Sequence, residues 1–470
     1  MPFSECRNFW RRTVKHLSPT LYQIDNLQEL LSPIFGSLSE QESVSAYLSG
    51  EHSSFARFNE ARIRQTGEIF DQALSLRYQW ESPQDKGVRE QTWEFSLSGD
   101  PKTDRTRIQN VFDSLRKTTP SLPADPYSLR DRSHSESEFT LLEPQNHSSF
   151  HQQVSEALEL FDGLDAAGLH INGPVTRMLI DSHGKRHTFR SYSHSLDYSI
   201  FLDRERCFKG GVGGNTWNPN ELAKQVDEKR RQSAALLRPH RKLPAQAYRT
   251  YIAPNGVLDL LQTLAWGGLS ERSIQKGESP LSLVRRGERT FSDKFSLWED
   301  FSLGLAPRFS EHGELSPERL SLIENGGLIS SLVSARSGQE FSIPHNGATA
   351  SETPRSLCMA PGTLPEAEIS QTLEEGLFLS NLHYLNWSDR SGGRITGMTR
   401  YACFWVENGE WVAPIEQLRF DETLFKMFGS ELLELTDTAQ TLPKTDTYDR
   451  RSTGGFQVPG ILLKSFAFKS

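Results

Sequence analysis

Apolar positions along this chain recur with two periods, and the switches between them outline its elements. Phe9, Trp10, Thr13, Val14 and Leu17 fall at helical spacing and predict a short opening helix. Leu27, Leu30, Leu31 and Phe35 predict a second helix. The period then falls to two. Val44, Ala46 and Leu48 alternate with polar residues, as do Leu74, Leu76, Tyr78 and Trp80, and then Trp93, Phe95 and Leu97, so each run reads as a strand. Asp100-Pro101 signals a helix start, with Ile108, Val111, Phe112 and Leu115 on one face. From Thr119 to Ser149, Pro120, Pro123, Pro126 and many Ser, Asp and Arg residues replace the periodicity, which predicts a linker or surface loop.

A second patterned region opens at Phe150, where Val154, Ala157, Leu158 and Phe161 form a helical stripe. Strand-like runs follow at 175–181, 186–192 and 196–202, and Gly210, Gly211, Gly213 and Gly214 then break the pattern. Asn218-Pro219 caps a predicted helix to about Leu237, with Leu222, Val226 and Leu236 facing inward. Arg238 to Pro244 reads as a linker, and short strands dominate from 245 onward. Asn325-Gly326 and Asn408-Gly409 each lie between apolar runs, and Asn-Gly is the strongest local hairpin signal because both residues tolerate positive φ. These readings give an α+β fold: an N-terminal α/β region (1–118, a linker or loop at 119–149, and a central segment at 150–240) followed by a β-rich C-terminal domain at 245–470.

Composition adds bounds. Mean hydropathy is −0.54, yet aromatics reach 10%, enough for a core. The net charge of −8 argues against a dedicated nucleic-acid binder. No apolar run spans a membrane, and no secretory h-region follows Arg11 and Arg12. Cys6, Cys207, Cys358 and Cys403 are far apart in sequence, which reads as free thiols in a reducing cytoplasm.

Candidate chemistry is sparse. Gly211-Val212-Gly213-Gly214 sits between a strand and a helix, but Thr216 replaces the third glycine of a phosphate loop and the preceding strand ends in Asp203-Arg204-Glu205-Arg206, so a flexible turn is the reading. His147 and His151, and His183 and His187, are four apart, yet Gly184-Lys185 predicts a turn and no third ligand accompanies either pair, so both read as surface histidines. Lys229, Arg230, Arg231, Arg238, Arg241 and Lys242, interleaved with acids, read as a solvated helix face. H-E-x-x-H, G-x-S-x-G and Walker signatures are absent.

Six stretches in order resemble the TldD/PmbA family. Phe55 to Gln65 resembles its R-x-A-N-x-x-I-x-Q strand, Leu322 to Leu328 its I-x-N-G-x-L turn, and Ala360-Pro361-Gly362-Thr363 its P-G step. Glu375 to Leu379 resembles its D-G-L-x-V segment, Phe404 to Glu410 with Pro414 and Glu416 its F-W-I-E-N-G-E-x-x-x-P-V-E motif, and Val458 to Leu463 its closing strand. Ser356, where asparagine is usual, and the polar loop Trp387 to Gly393 depart from the pattern. The family's active member resembles a metallopeptidase with H-E-x-x-x-H on a helix and a cysteine near the C-terminus, a ligand set suited to zinc. Here Gln262, Thr263 and Gly267 stand at the first histidine, the glutamate and the second histidine, and Arg451-Ser452-Thr453-Gly454 offers no cysteine.

The resemblance therefore implies the PmbA-like (TldE-type) partner, with no metal, cofactor or catalytic residue of its own. The implied role is to help form a peptide channel over the zinc of a TldD-like homologue in a cytoplasmic heterodimer that cleaves extended, unfolded or leader peptides. The alternative is a stand-alone binding or modulator protein without peptidase activity.

Overall fold

The computed structural model describes residues 21–84, 87–141 and 148–469, so the predicted helix at Phe9 to Leu17, Cys6 and His147 lie outside the described residues. Two sheets carry the molecule. The first holds α1 (Ile24–Phe35), β1 (Glu42–Asn59), β2 (Arg62–Glu81), β3 (Val88–Ser96), α2 (Pro101–Thr118), β4 (Glu136–Leu141), α3 (Phe150–Leu160), β5 (Asp165–Asp181), β6 (Arg186–Phe201), β7 (Cys207–Gly214) and α4 (Pro219–Leu236). Its order is β3-β2-β1-β5-β6, antiparallel throughout; β4 pairs parallel with one stretch of β6 and β7 antiparallel with another. Because β1 pairs with β5 from Ser45↔Asp181 to Phe58↔Gly168, the segments before and after residues 119–149 share one sheet.

Local chemistry explains several boundaries. The Asp100 carboxylate accepts from the Thr103 N–H at 2.9 Å and caps α2, and Asn218 accepts from Asn220 and Glu221 N–H to cap α4. Leu27, Leu30 and Leu31 of α1 and Ile108, Phe112 and Leu115 of α2 pack on Leu48, Leu74 and Tyr78 of the sheet.

Three expectations change here. Residues 119–149, read as linker or surface loop, contain β4, and their Arg130 is buried, donating to Ser43 Oγ at 2.7 Å and to the Glu40 carbonyl at 2.7 Å. Phe55 to Gln65, read as one strand, is a hairpin whose turn places Glu60 and Ala61 at φ 52° and 51°. The glycine cluster, read as a flexible turn, is strand β7: Gly210 lies against the Tyr198 ring and Gly213 against Pro443, where side chains would collide.

The second sheet holds β8 (Ala247–Ile252), followed by helix α5 (Pro254–Ala265), then β9 (Leu297–Asp300), β10 (Arg319–Glu324), β11 (Gly327–Leu328), β12 (Ser356–Met359), β13 (Gly376–Leu379), β14 (Asn381–Asp389), β15 (Arg394–Arg400), β16 (Phe404–Glu407), β17 (Glu410–Pro414), β18 (Arg419–Thr423), β19 (Leu432–Pro443) and β20 (Gly455–Lys469). Its order is β11-β10-β9-β12-β20-β8-β13-β16-β17. Strand β20 organises it, pairing with β8, β12, β18 and β19. Both Asn-Gly hairpins form: Asn325 and Gly326 sit at φ 47° and 78°, and Asn408 and Gly409 at 51° and 76°. The two sheets meet through a cluster in which Phe208, Trp217 and Leu222 pack with Ala402 and Phe404.

Candidate functional site

Helix α5 lies where the two sheets meet, and its two faces differ. Val257, Leu260, Leu261 and Leu264 are buried in the C-terminal core. On the other side, Asn255, Asp259 and Gln262, spaced i, i+4 and i+7, line a cavity of about 270 Å³ closed by Lys209 to Val212 of β7 and by Pro443, Lys444 and Thr445. The Asp259 carboxylate accepts from the Leu382 N–H at 3.0 Å. Burial raises this carboxyl to about 7, against the opposing pull of that hydrogen bond. Burial likewise lowers the Lys444 ammonium.

This cavity adjoins a larger one of about 810 Å³, and the two share Asp197 and Lys209, which form an ion pair. The larger cavity lies over β1 and β5 and is closed by the loop carrying Thr447, Asp449 and Arg451. Arg451 is buried: its backbone N–H donates to Glu51 Oε1 at 3.0 Å, and Nη2 donates to the Gly173 carbonyl at 2.7 Å and to Ser193 Oγ at 2.9 Å. A groove therefore runs from α5, past the Asp197–Lys209 pair, to Arg451.

The degenerate metal positions do not converge on it. Gln262 faces the cavity. Thr263 is buried and donates to the Asp259 carbonyl at 3.0 Å. Gly267 lies beyond the end of α5 at φ 78°, and a Cβ there would run into the guanidinium of Arg390, which donates from Nη2 to the Trp266 carbonyl at 3.2 Å. An amide, a hydroxyl turned back on its own helix and a bare glycine are not a zinc donor set. Among the described residues, no three His, Cys, Asp or Glu side chains are placed to hold a metal ion.

The other candidates serve the fold. His183 sits in the β5–β6 turn, 2.7 Å from Ser43 Oγ. His187, expected at the surface, is buried between Ser135 Oγ and Ser137 Oγ and stacks on Phe309, because β4 covers it. His151 is exposed on α3. The basic stretch is not simply solvated. Arg230 donates to the Leu160 carbonyl, Arg238 to the carbonyls of Trp411 and Val412, and Arg241 pairs with Glu407 over the Trp405 ring. It fastens α4 to α3 and the 238–244 segment to the β16–β17 hairpin.

Sequence reading did not single out Asp197, Lys209, Asp259 or Lys444, and it noted Arg451 only for not being a cysteine. The i, i+4, i+7 polar stripe on α5 was the one available signal; the others gather only through tertiary packing.

Residues 245–470 match the family described as PmbA/TldA metallopeptidase C-terminal domain. No match to the chain was found among curated proteins. Among solved structures, the chain is similar to TldE from Thermococcus kodakarensis (12% identity, 95% of this chain and 100% of that one, TM-score 0.75). It is also similar to proposed modulators of DNA gyrase from Thermotoga maritima (13% identity, 95% and 99% covered, TM-score 0.72) and Bacteroides thetaiotaomicron (16% identity, 95% and 98% covered, TM-score 0.68). At these identities the likeness is one of fold.

Proposed function

We propose, for a chain that belongs to the TldD/PmbA family, that it acts as the subunit without zinc chemistry, helping to form a peptide channel over the zinc of a TldD-like partner in a heterodimer. The observation that carries this reading is the donor chemistry of α5 and its end: Gln262 offers an amide, Thr263 Oγ1 is turned back on the Asp259 carbonyl, and Gly267 falls outside the helix with no side chain. Among the described residues no His, Cys, Asp and Glu set is placed to hold a metal that could activate a water, whereas the groove beside α5 remains open between the sheets. An extended peptide suits such a groove. Among the described residues β7 pairs only with β6 and forms one of its walls; Gln225 and Gln440 already donate to its Gly211 carbonyl, so an extended peptide would use the remaining backbone groups, a mode of binding that tolerates varied side chains. Folded proteins would be excluded by size.

The test is peptide cleavage by this chain, by a zinc-bearing homologue from the same organism, and by the two together. The expected result is no cleavage by this chain alone and cleavage of unfolded peptides by the mixture, with folded proteins spared. Zinc-independent cleavage by this chain overturns the reading. Full activity of the zinc subunit without it leaves a stand-alone binding role as the better account.

A further inference from the structure

The first sheet ends in strand β3, and one side of that strand is open. Its register with β2 runs without a bulge from Glu81↔Val88 to Ala73↔Ser96, so every second residue turns its backbone groups to the same side. Three contacts fix which side. The Leu97 N–H donates inward to the Gln72 carbonyl at 2.8 Å, one step beyond the ladder. Val88 exchanges two outward bonds with Asp125, at 3.2 Å and 2.9 Å. The Ser96 carbonyl accepts outward from Arg107 Nη1 at 2.5 Å. Between these closed ends, Thr92 and Glu94 present their N–H and C=O groups outward. Among the described residues no strand and no hydrogen bond meets them there.

The side chain between them is apolar and open. Trp93 lies opposite Leu76, on the sheet face that α1 and α2 cover, yet half of it is exposed. It borders a groove of about 720 Å³ whose other wall is α2, with Lys102, Arg107 and Val111 in the lining and no carboxylate. Arg105 of the same helix pairs with Glu29 at 3.7 Å, whereas Lys102 and Arg107 make no ion pair within 4 Å among the described residues. The surrounding acids leave a positive excess. Asp100 sits beside Lys102 and caps α2, so two cations face one carboxylate. Asp113 faces Gln109 and Arg116 further along the helix. Glu90 and Glu94 belong to the opposite sheet face, where Arg77 and Arg450 pair with them.

We propose that the open edge of β3 is a docking site for an extended, acidic segment of another protein. The segment adds a strand by pairing with Thr92 and Glu94. It sets an aromatic or β-branched residue opposite Trp93 and a carboxylate two positions away, on the side of Lys102 and Arg107. The residue opposite Trp93 forms a non-hydrogen-bonded pair, in which side chains approach most closely and aromatic and β-branched partners are favoured. Backbone bonds supply the affinity of such an added strand, and its alternate side chains the specificity. Two other occupants match the charge less well. A second copy, paired antiparallel, brings Arg89, Gln91, Trp93 and Phe95 to this face, with no acid among them. Residues 1–20 of the chain itself carry Arg7, Arg11, Arg12 and Lys15 against Glu5 alone. The site shares no residue with the groove beside α5 and stands apart from the channel reading.

The test is fluorescence anisotropy with the full-length chain and labelled peptides of about ten residues, alternating Thr and Val around one Phe. One peptide carries Glu two positions to either side of the Phe, and the other carries Gln there. The Glu peptide is expected to bind roughly fivefold more tightly at low salt, with the difference shrinking at about 0.5 M salt. Thr92→Pro removes an outward N–H and spares the β2 ladder, since an edge strand tolerates proline where its N–H faces solvent; it should weaken both peptides roughly tenfold. Trp93→Ser should weaken both severalfold, and Lys102→Gln should reduce the preference for Glu alone. Where Thr92→Pro lowers the melting temperature, Trp93→Ser and Lys102→Gln decide. No binding by the unmodified chain overturns the proposal, as does equal binding of the two peptides. Affinities unchanged in Thr92→Pro and Trp93→Ser also overturn it. Sedimentation supplies the last outcome: a dimer that Thr92→Pro splits into monomers identifies a second copy as the occupant and overturns the choice of an acidic partner.

Discussion

Two regions of the interior, one in each half, are built from different material. Where the first sheet meets the C-terminal loop, Arg177, Arg451, His170, His194, Asn172 and Gln153 are buried, and directed contacts hold several of them in place, such as the 2.9 Å bond between His170 and Gln153. Around β20 in the second sheet, one large cluster of buried side chains is mostly Leu, Ile, Val and Phe. The two interiors store stability differently. Apolar burial is non-directional and scales with volume filled, so the second half is vulnerable to cavities. A polar interior holds only while each group keeps its partner, so the region around Arg451 is vulnerable to protonation and lost hydrogen bonds. The family match covers residues 245–470, which hold the cluster around β20.

The largest test of this contrast is Phe295→Ala. Phe295 is fully buried and stacks on Phe428 at 4.6 Å between centroids. Its truncation is expected to cost about 3–5 kcal/mol in chemical unfolding. A loss below about 1 kcal/mol would mean that the second half does not depend on packed volume.

The hairpin turns give a second, smaller contrast. In the C-terminal half, Asn408-Gly409 suits its positive φ values; in the N-terminal half, Glu60-Ala61 adopts the same region without a glycine. Gly409→Val is expected to lose about 1–3 kcal/mol, because a β-branched residue resists this backbone. Ala61→Gly is expected to gain about 0.5 kcal/mol by relieving the Cβ clash. Melting temperatures of the two variants should move in opposite directions; equal shifts would show that the turns are energetically alike.

Titration separates the halves further. In the first, burial lowers His170 to about 3 and His187 and His194 to about 4. These groups stabilise the fold above their ordinary value of 6.5, and that contribution is lost as pH falls through about 4. In the second, Asp259 is raised from 3.8 to about 7, so its contribution is complete below pH 3.8 and is lost as pH rises through 7. Asp259→Asn should therefore stabilise the protein by on the order of 1 kcal/mol at pH 8 and leave it unchanged near pH 4. An unchanged pH profile in this variant would show that the carboxyl titrates normally.

Features written in a few consecutive residues could be read from the sequence. Asp100 before Pro101 fixed the start of α2, Asn218 before Pro219 that of α4, and each Asn-Gly its hairpin, because capping and positive φ are local matters of backbone chemistry. The ordered motifs from Phe55 to Leu463 pointed to the family for the same reason. Tertiary structure decided the rest. Strand β4 carries only a short alternation, with Phe139 and Leu141 as its apolar positions, and is held in place by the ladder it makes with β6. The glycines of β7 read as a turn until Tyr198 and Pro443 show why side chains are excluded. His187 is interior only because β4 crosses it. The groove joins α5, β7 and the loop at Arg451, segments up to about 250 residues apart, and its charge balance arises where the two sheets meet. Long-range packing determines which polar groups face each other, and a periodic pattern along one strand or helix carries no information about what lies opposite it.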